Sequence, residues 1–158
     1  MEFFTIGVYN STEKEFFDKI LDNKIDLFCD IRQRRGVRGK KYSFVNSTQL
    51  QNKLGRIGVS YLYVKELSPT TNIRDLQKQV DMETGIAKSK RQELGSVFVS
   101  EYKNKVLANF DFDKFFREIG NQTSRVLLFC VEEFPEACHR SIVTKELANR
   151  FGYKITHF

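Results

Sequence analysis

Tryptophan is absent from the chain, histidine occurs twice and cysteine three times. Each shortage excludes something. Two histidines and no Cys-x-x-Cys pair leave no residues at the usual zinc-ligand spacings, so neither a metal nor another cofactor is expected. Three cysteines cannot all pair, and Cys29 and Cys130 lie inside apolar runs. Reduced thiols in a reducing, cytoplasmic compartment are the expectation. No apolar stretch approaches the roughly 18 residues of a membrane span, and no basic segment followed by an apolar one opens the chain. A soluble protein with no membrane partner is expected. Without tryptophan, aromatic packing falls to 15 phenylalanines. No internal repeat, low-complexity tract or linker divides the sequence.

What is present suits one domain spanning residues 1–158, since domains cluster at roughly 100–150 residues. A chain of this length buries roughly 68–70% of its unfolded surface and needs no disulfide or metal to hold it together. The net charge is +6 with an isoelectric point of about 9.2. That balance favours anionic partners: nucleotides, nucleic acid or phosphorylated metabolites.

Apolar runs at 3–8, 25–31, 59–64, 126–131 and 153–158 predict strands. Between them lie helical stripes. Thr12 and Glu15 have capping-box spacing ahead of Phe16, Phe17, Ile20 and Leu21. Asn46 with Gln49 caps a second helix carrying Leu50, Leu54 and Ile57. Residues 72–120 read as charged helices, Gly85 breaking one and Asp111 capping another, and 135–150 reads as the last helix, with Pro135 at its first position. This alternation predicts an α/β fold: three layers, with a mostly parallel, Rossmann-like sheet of about five strands covered by helices on both faces. The runs at 25–31 and 126–131 lack polar alternation, as strands buried on both faces do. Ligands of such sheets sit beyond the carboxyl ends of the strands, where connections part to opposite faces. That rule singles out Tyr9 and Asn10, Asp30 and Arg32, Glu132 and Glu133, and the turn into Cys138.

Around that edge the candidate residues fall into two groups. In the run from Glu132 to Arg140, a helix start offers free N–H groups and a positive dipole to an anion or a thiolate. Arg140 shares a stripe with Val143, Leu147 and Phe151, so it points into the core and needs a partner. Asp30, Glu132 or an anionic ligand would serve, and a buried ion pair tying helix to sheet would leave it purely structural. Cys138 is either a nucleophile or an inert buried thiol. The arginine that thiol phosphatases place six residues after their cysteine is missing, for Thr144 stands there. Glu132 and His139 are the candidate proton carriers. The second group is a loop with six basic residues and no acidic one between Arg32 and Lys41. Its Arg35, Arg38 and Tyr42 are candidate grips for phosphate and base, and the alternative is a solvated loop.

Thr5-Ile6-Gly7, Asp30-x-Arg32, and Phe129-Cys130-x-Glu132 followed by Pro135 and Cys138-His139-Arg140 together resemble the widespread prokaryotic domain-of-unknown-function family four-eight-eight. The resemblance covers nearly the whole chain. Val8 and Tyr9 stand where His and Ser commonly follow Thr-Ile-Gly in that family. It implies the fold and the site, and no particular reaction. Two functions then compete. One is a hydrolase or transferase acting on a phosphate-bearing substrate, a nucleotide or nucleic-acid end. The other is a non-catalytic nucleic-acid or nucleotide-binding module that grips through the loop at 32–41.

Overall fold

In a computed structural model, which describes residues 1–158 apart from the side chain of Ser89, the two most apolar runs become the middle of the sheet. Five strands, β1 (Glu2–Ile6), β2 (Leu27–Asp30), β3 (Ser60–Tyr63), β4 (Arg125–Phe129) and β5 (Lys154–His157), lie in the order β3-β2-β4-β1-β5. Every pairing is parallel. All of β2 is buried, as is β4 beyond its first residue, whereas β3 and β5 form the half-exposed edges. The expected three-layer α/β architecture is what forms.

Six helices cover the sheet: α1 (Glu13–Asp22), α2 (Ser47–Arg56), α3 (Thr71–Thr84), α4 (Ser96–Lys105), α5 (Phe112–Ile119) and α6 (His139–Phe151). The capping box forms as spaced, with the Thr12 hydroxyl accepting from Glu15 N and the Glu15 carboxylate accepting from Thr12 N. Phe16, Ile20, Leu50 and Leu54 pack α1 and α2 on one face against Phe4, Phe28 and Phe129. Ile73, Phe98, Tyr102, Phe112, Phe115, Val143 and Leu147 pack α3 to α6 on the other, against Phe3, Cys29 and Leu128. No described helix is long and apolar enough to cross a membrane.

This winding creates a crevice. The connection after β4 leads into α6 on one face, while those after its neighbours β1 and β2 lead into α1 and α2 on the other. Connections that part this way open a gap at the strands' carboxyl ends. The ladder runs past the strands into the gap. Val8 N and Tyr9 N both donate to Val131 O at 3.1 Å, and Ile31 N donates to Phe129 O. Residues 30–32, 7–9 and 130–132 therefore meet there.

Candidate functional site

The gap holds a cleft of about 630 Å³, within the range of ligand pockets generally. Its walls come from the loop after β2 (Arg32, Arg34, Arg38, Tyr42), from α3 (Arg74, Lys78, Asp81) and from Lys88 and Arg91, with Tyr9 in the turn after β1. Cys130, Glu132, Cys138 and His139 line the same cleft.

Asp30 and Arg32 form one buried unit. Arg32 Nε and Nη2 donate to the two Asp30 oxygens at 2.9 and 2.7 Å, and Tyr61 Oη donates to Asp30 Oδ2 at 2.8 Å. The guanidinium stacks over Phe129 at 4.5 Å. Its Nη1 is buried and has no partner among the described residues. A two-point clasp of this kind fixes the plane of the guanidinium and leaves one edge for a ligand.

The last helix begins later than its proline predicts. Pro135–Ala137 makes a single 3-10 turn, Cys138 is extended, and α6 starts at His139. Cys138 is thus the residue at the helix start, and its thiol borders the cleft while being only 1% exposed. His139 Nε2 lies 3.0 Å from the Ile31 carbonyl oxygen. A carbonyl only accepts, so Nε2 carries the proton and Nδ1 presents its lone pair. Two sulfurs face that lone pair: Cys138 Sγ at 3.6 Å and Cys130 Sγ at 3.9 Å. Burial pushes the His139 pKa down, but the Cys130 sulfur, the Glu132 carboxylate and the Ile31 carbonyl outweigh it and lift it above the ordinary value.

Glu132 closes the group. Its Oε2 accepts from the Cys130 thiol at 3.0 Å, while Oε1 pairs with Lys88 Nζ at 3.1 Å and Arg91 Nη2 at 3.5 Å. Burial raises its carboxyl, yet the Lys88 ammonium, the Cys130 hydrogen bond and His139 together hold it down at about 2. Held that low, Glu132 contributes a negative charge to the cluster at neutral pH. Burial, the neighbouring Cys138 and Glu132 keep the Cys130 thiol protonated, well above the ordinary cysteine value.

A family model matches residues 12–147, a span that includes every one of these groups except Tyr9. The chain belongs to that family, Domain of unknown function DUF488. No curated protein and no solved structure shows a significant match to it.

Within this DUF488 chain, two sequence-based placements need correcting. Arg140 is fully buried, as its helical phase demands, but it meets no carboxylate. Its Nη1 and Nη2 donate to the carbonyls of Glu132 and Glu133 at 2.6 and 2.7 Å, because the turn after β4 folds over the helix and delivers backbone acceptors first. It clamps the turn and does not line the cleft. Arg35 also leaves the cleft: its guanidinium stacks on Tyr63 at 4.2 Å, drawn toward the edge strand β3. The chain's other histidine, His157, stands apart from the cleft, its Nδ1 2.7 Å from Thr5 Oγ1 on the β1–β5 side of the sheet. Conversely, Lys88 and Arg91 belong to the cleft with no signal in the sequence, and Cys130 stood in the family pattern without being singled out for chemistry.

Proposed function

We propose that this DUF488 protein is a hydrolase or transferase acting on a phosphate-bearing substrate, a nucleotide or nucleic-acid end, through a cysteine-bound intermediate. The observation that carries the reading is the pairing of Cys138 Sγ with the His139 Nδ1 lone pair at 3.6 Å, with the opposite nitrogen pinned to Ile31. A nucleophile, its base and a third group that orients the base are the parts that covalent catalysis requires.

His139 Nδ1 takes the Cys138 proton as the sulfur attacks. The thiolate bonds to the electrophilic centre of the substrate as the bond to the leaving group breaks. His139 returns its proton to the leaving atom. Water or an acceptor then attacks the cysteine-bound group, giving up a proton to His139 and restoring the thiol. Arg32 Nη1, Arg74 and the loop residues Arg34 and Arg38 hold the phosphate, and Tyr9 and Tyr42, with ring centroids 5.5 Å apart, offer faces to a base. No arginine follows Cys138 at the phosphatase spacing, so the phosphate serves as the handle and the reacting atom lies beside it.

Iodoacetamide at neutral pH, read by peptide mass spectrometry, tests the pairing. Cys138 is expected to label at least about tenfold faster than Cys29, whose thiol burial holds far above the ordinary value. Equal rates would return Cys138 to the structural thiols.

One feature favours the binding module instead. Arg34, Arg38, Lys40 and Lys41 are exposed, and none makes an ion pair among the described residues. If they grip a nucleic-acid backbone, replacing Arg34 and Arg38 by alanine should flatten the slope of log affinity against log salt by roughly one to two units. Fluorescence anisotropy with a labelled oligonucleotide at several salt concentrations measures it. Absence of wild-type binding at low salt would eliminate the module.

A further inference from the structure

We infer that Cys130, Cys138 and His139 form a binding site for a soft or borderline divalent cation of the zinc type, whose occupancy silences the Cys138 nucleophile. The inference concerns regulation of the site proposed above; its metal-binding part stands apart from that reading, and the silencing rests on it.

The distances are those of a coordination shell before the ion arrives. The two sulfurs and Nδ1 all lie within 4.8 Å of one another, with Nδ1 at 3.6 and 3.9 Å from the sulfurs. Zinc bonds of about 2.3 Å to sulfur and about 2.0 Å to nitrogen, set tetrahedrally, put S···N edges at about 3.6 Å. The histidine is also prepared as metal-binding histidines are, with its far nitrogen donating to a fixed acceptor, here the Ile31 carbonyl. Glu132 stands outside this set of mutually close atoms, its Oε1 paired with Lys88 and Arg91 and its Oε2 accepting from the Cys130 thiol, so the fourth position of the ion would be left to water.

Binding breaks two S–H bonds, forms two metal–sulfur bonds and releases two protons to the buffer. Two thiolates and a neutral imidazole balance the divalent charge, and the Glu132 carboxylate beside them is already paired with Lys88 and Arg91. Ligand spacing along the chain gave no hint, because Cys130 comes from the sheet and Cys138 from the helix start. With its lone pair held by the ion, Cys138 cannot attack a substrate.

The test uses reduced, chelator-treated full-length protein titrated with cobalt(II). A sulfur-to-cobalt charge-transfer band with tetrahedral visible absorption should saturate at one equivalent and vanish when zinc is added. The band should be lost in a Cys130→Ser, Cys138→Ser double variant and kept in Cys29→Ser. In wild-type protein, where folding is not in question, zinc should slow iodoacetamide labelling of Cys138 by at least about tenfold, and chelator should restore it. No band at one equivalent, a band that survives in the folded double variant, or labelling indifferent to zinc would each overturn the inference. Should the band appear while metal-free Cys138 labels no faster than Cys29, the enzyme reading and the silencing fail and the cation site remains.

Discussion

Replacing Gly7 by alanine is expected to destabilise the fold by more than about 4 kcal/mol, a loss that single substitutions rarely reach. Conformation is not the reason, since Gly7 is not in the left-handed region. The reason is space. A Cβ at this position would sit inside the Glu132 carbonyl oxygen, 2.8 Å from the carbonyl carbon and 3.2 Å from Glu133 Cα. These are backbone atoms, and neither side can yield. Cys130 N donates to Ile6 O on one flank and Val8 N and Tyr9 N donate to Val131 O on the other. The Glu132 carbonyl is also gripped by Arg140. Relief would part the end of β1 from the turn after β4 and carry Glu132 away from Cys130. Gly55→Ala is the matching control: it lies within α2 with nothing inside 4 Å of the added carbon, and should gain about 0.5–1 kcal/mol. Urea denaturation of both variants reads the contrast. A Gly7→Ala protein as stable as wild type would mean that the strand and the turn do not approach this closely.

That close approach shows how far the sequence could be read. The central strands were legible because β2 and β4 are buried on both faces and so carry unbroken apolar runs. The carboxyl-edge rule then placed Asp30, Arg32, Glu132, Cys138 and His139 near one another before any contact was known. Contacts made through backbone were not legible. Arg140 had the right phase and the wrong partner, since nothing in side-chain identity announces that two carbonyls will reach it before a carboxylate does. Asn46 was similar. Its side chain looked like a helix cap, yet its Oδ1 accepts from Val37 N and fastens the basic loop instead. Cys130 read as strand core, and only the end of β4 at Phe129 frees its sulfur to face His139. Lys88 and Arg91 lie in a stretch without periodicity, more than 40 residues before the carboxylate they serve. Charge pairing across that separation leaves no local trace.

The Glu132 carboxylate should register as a pH-dependent stability difference. Its folded pKa of about 2 against an ordinary 4.5 corresponds to roughly 3 kcal/mol. The carboxyl is depressed, so this contribution is fully present above its unfolded value and is lost as pH falls through about 2. Glu132→Gln keeps the shape and an acceptor oxygen but removes the charge that Lys88, Arg91 and His139 face. It should therefore cost about 3 kcal/mol at pH 7, and the gap to wild type should narrow steadily between about pH 5 and pH 2. Arg91 keeps Asp81 at 2.8 Å and half-exposed Lys88 can turn to water, which holds the loss near the low end for a broken buried pair. His139 works in the opposite sense. Its folded pKa is raised, so its contribution is complete below the ordinary 6.5 and fades as pH rises through the folded value. Without the carboxylate that pKa falls, so the imidazole of Glu132→Gln should titrate lower than in wild type by NMR. Urea titrations of both proteins at pH 7, 5 and 3 measure the gap. A gap of constant size across that range would mean that Glu132 acts through packing and not through its charge, and the electrostatic account of the cluster would be wrong.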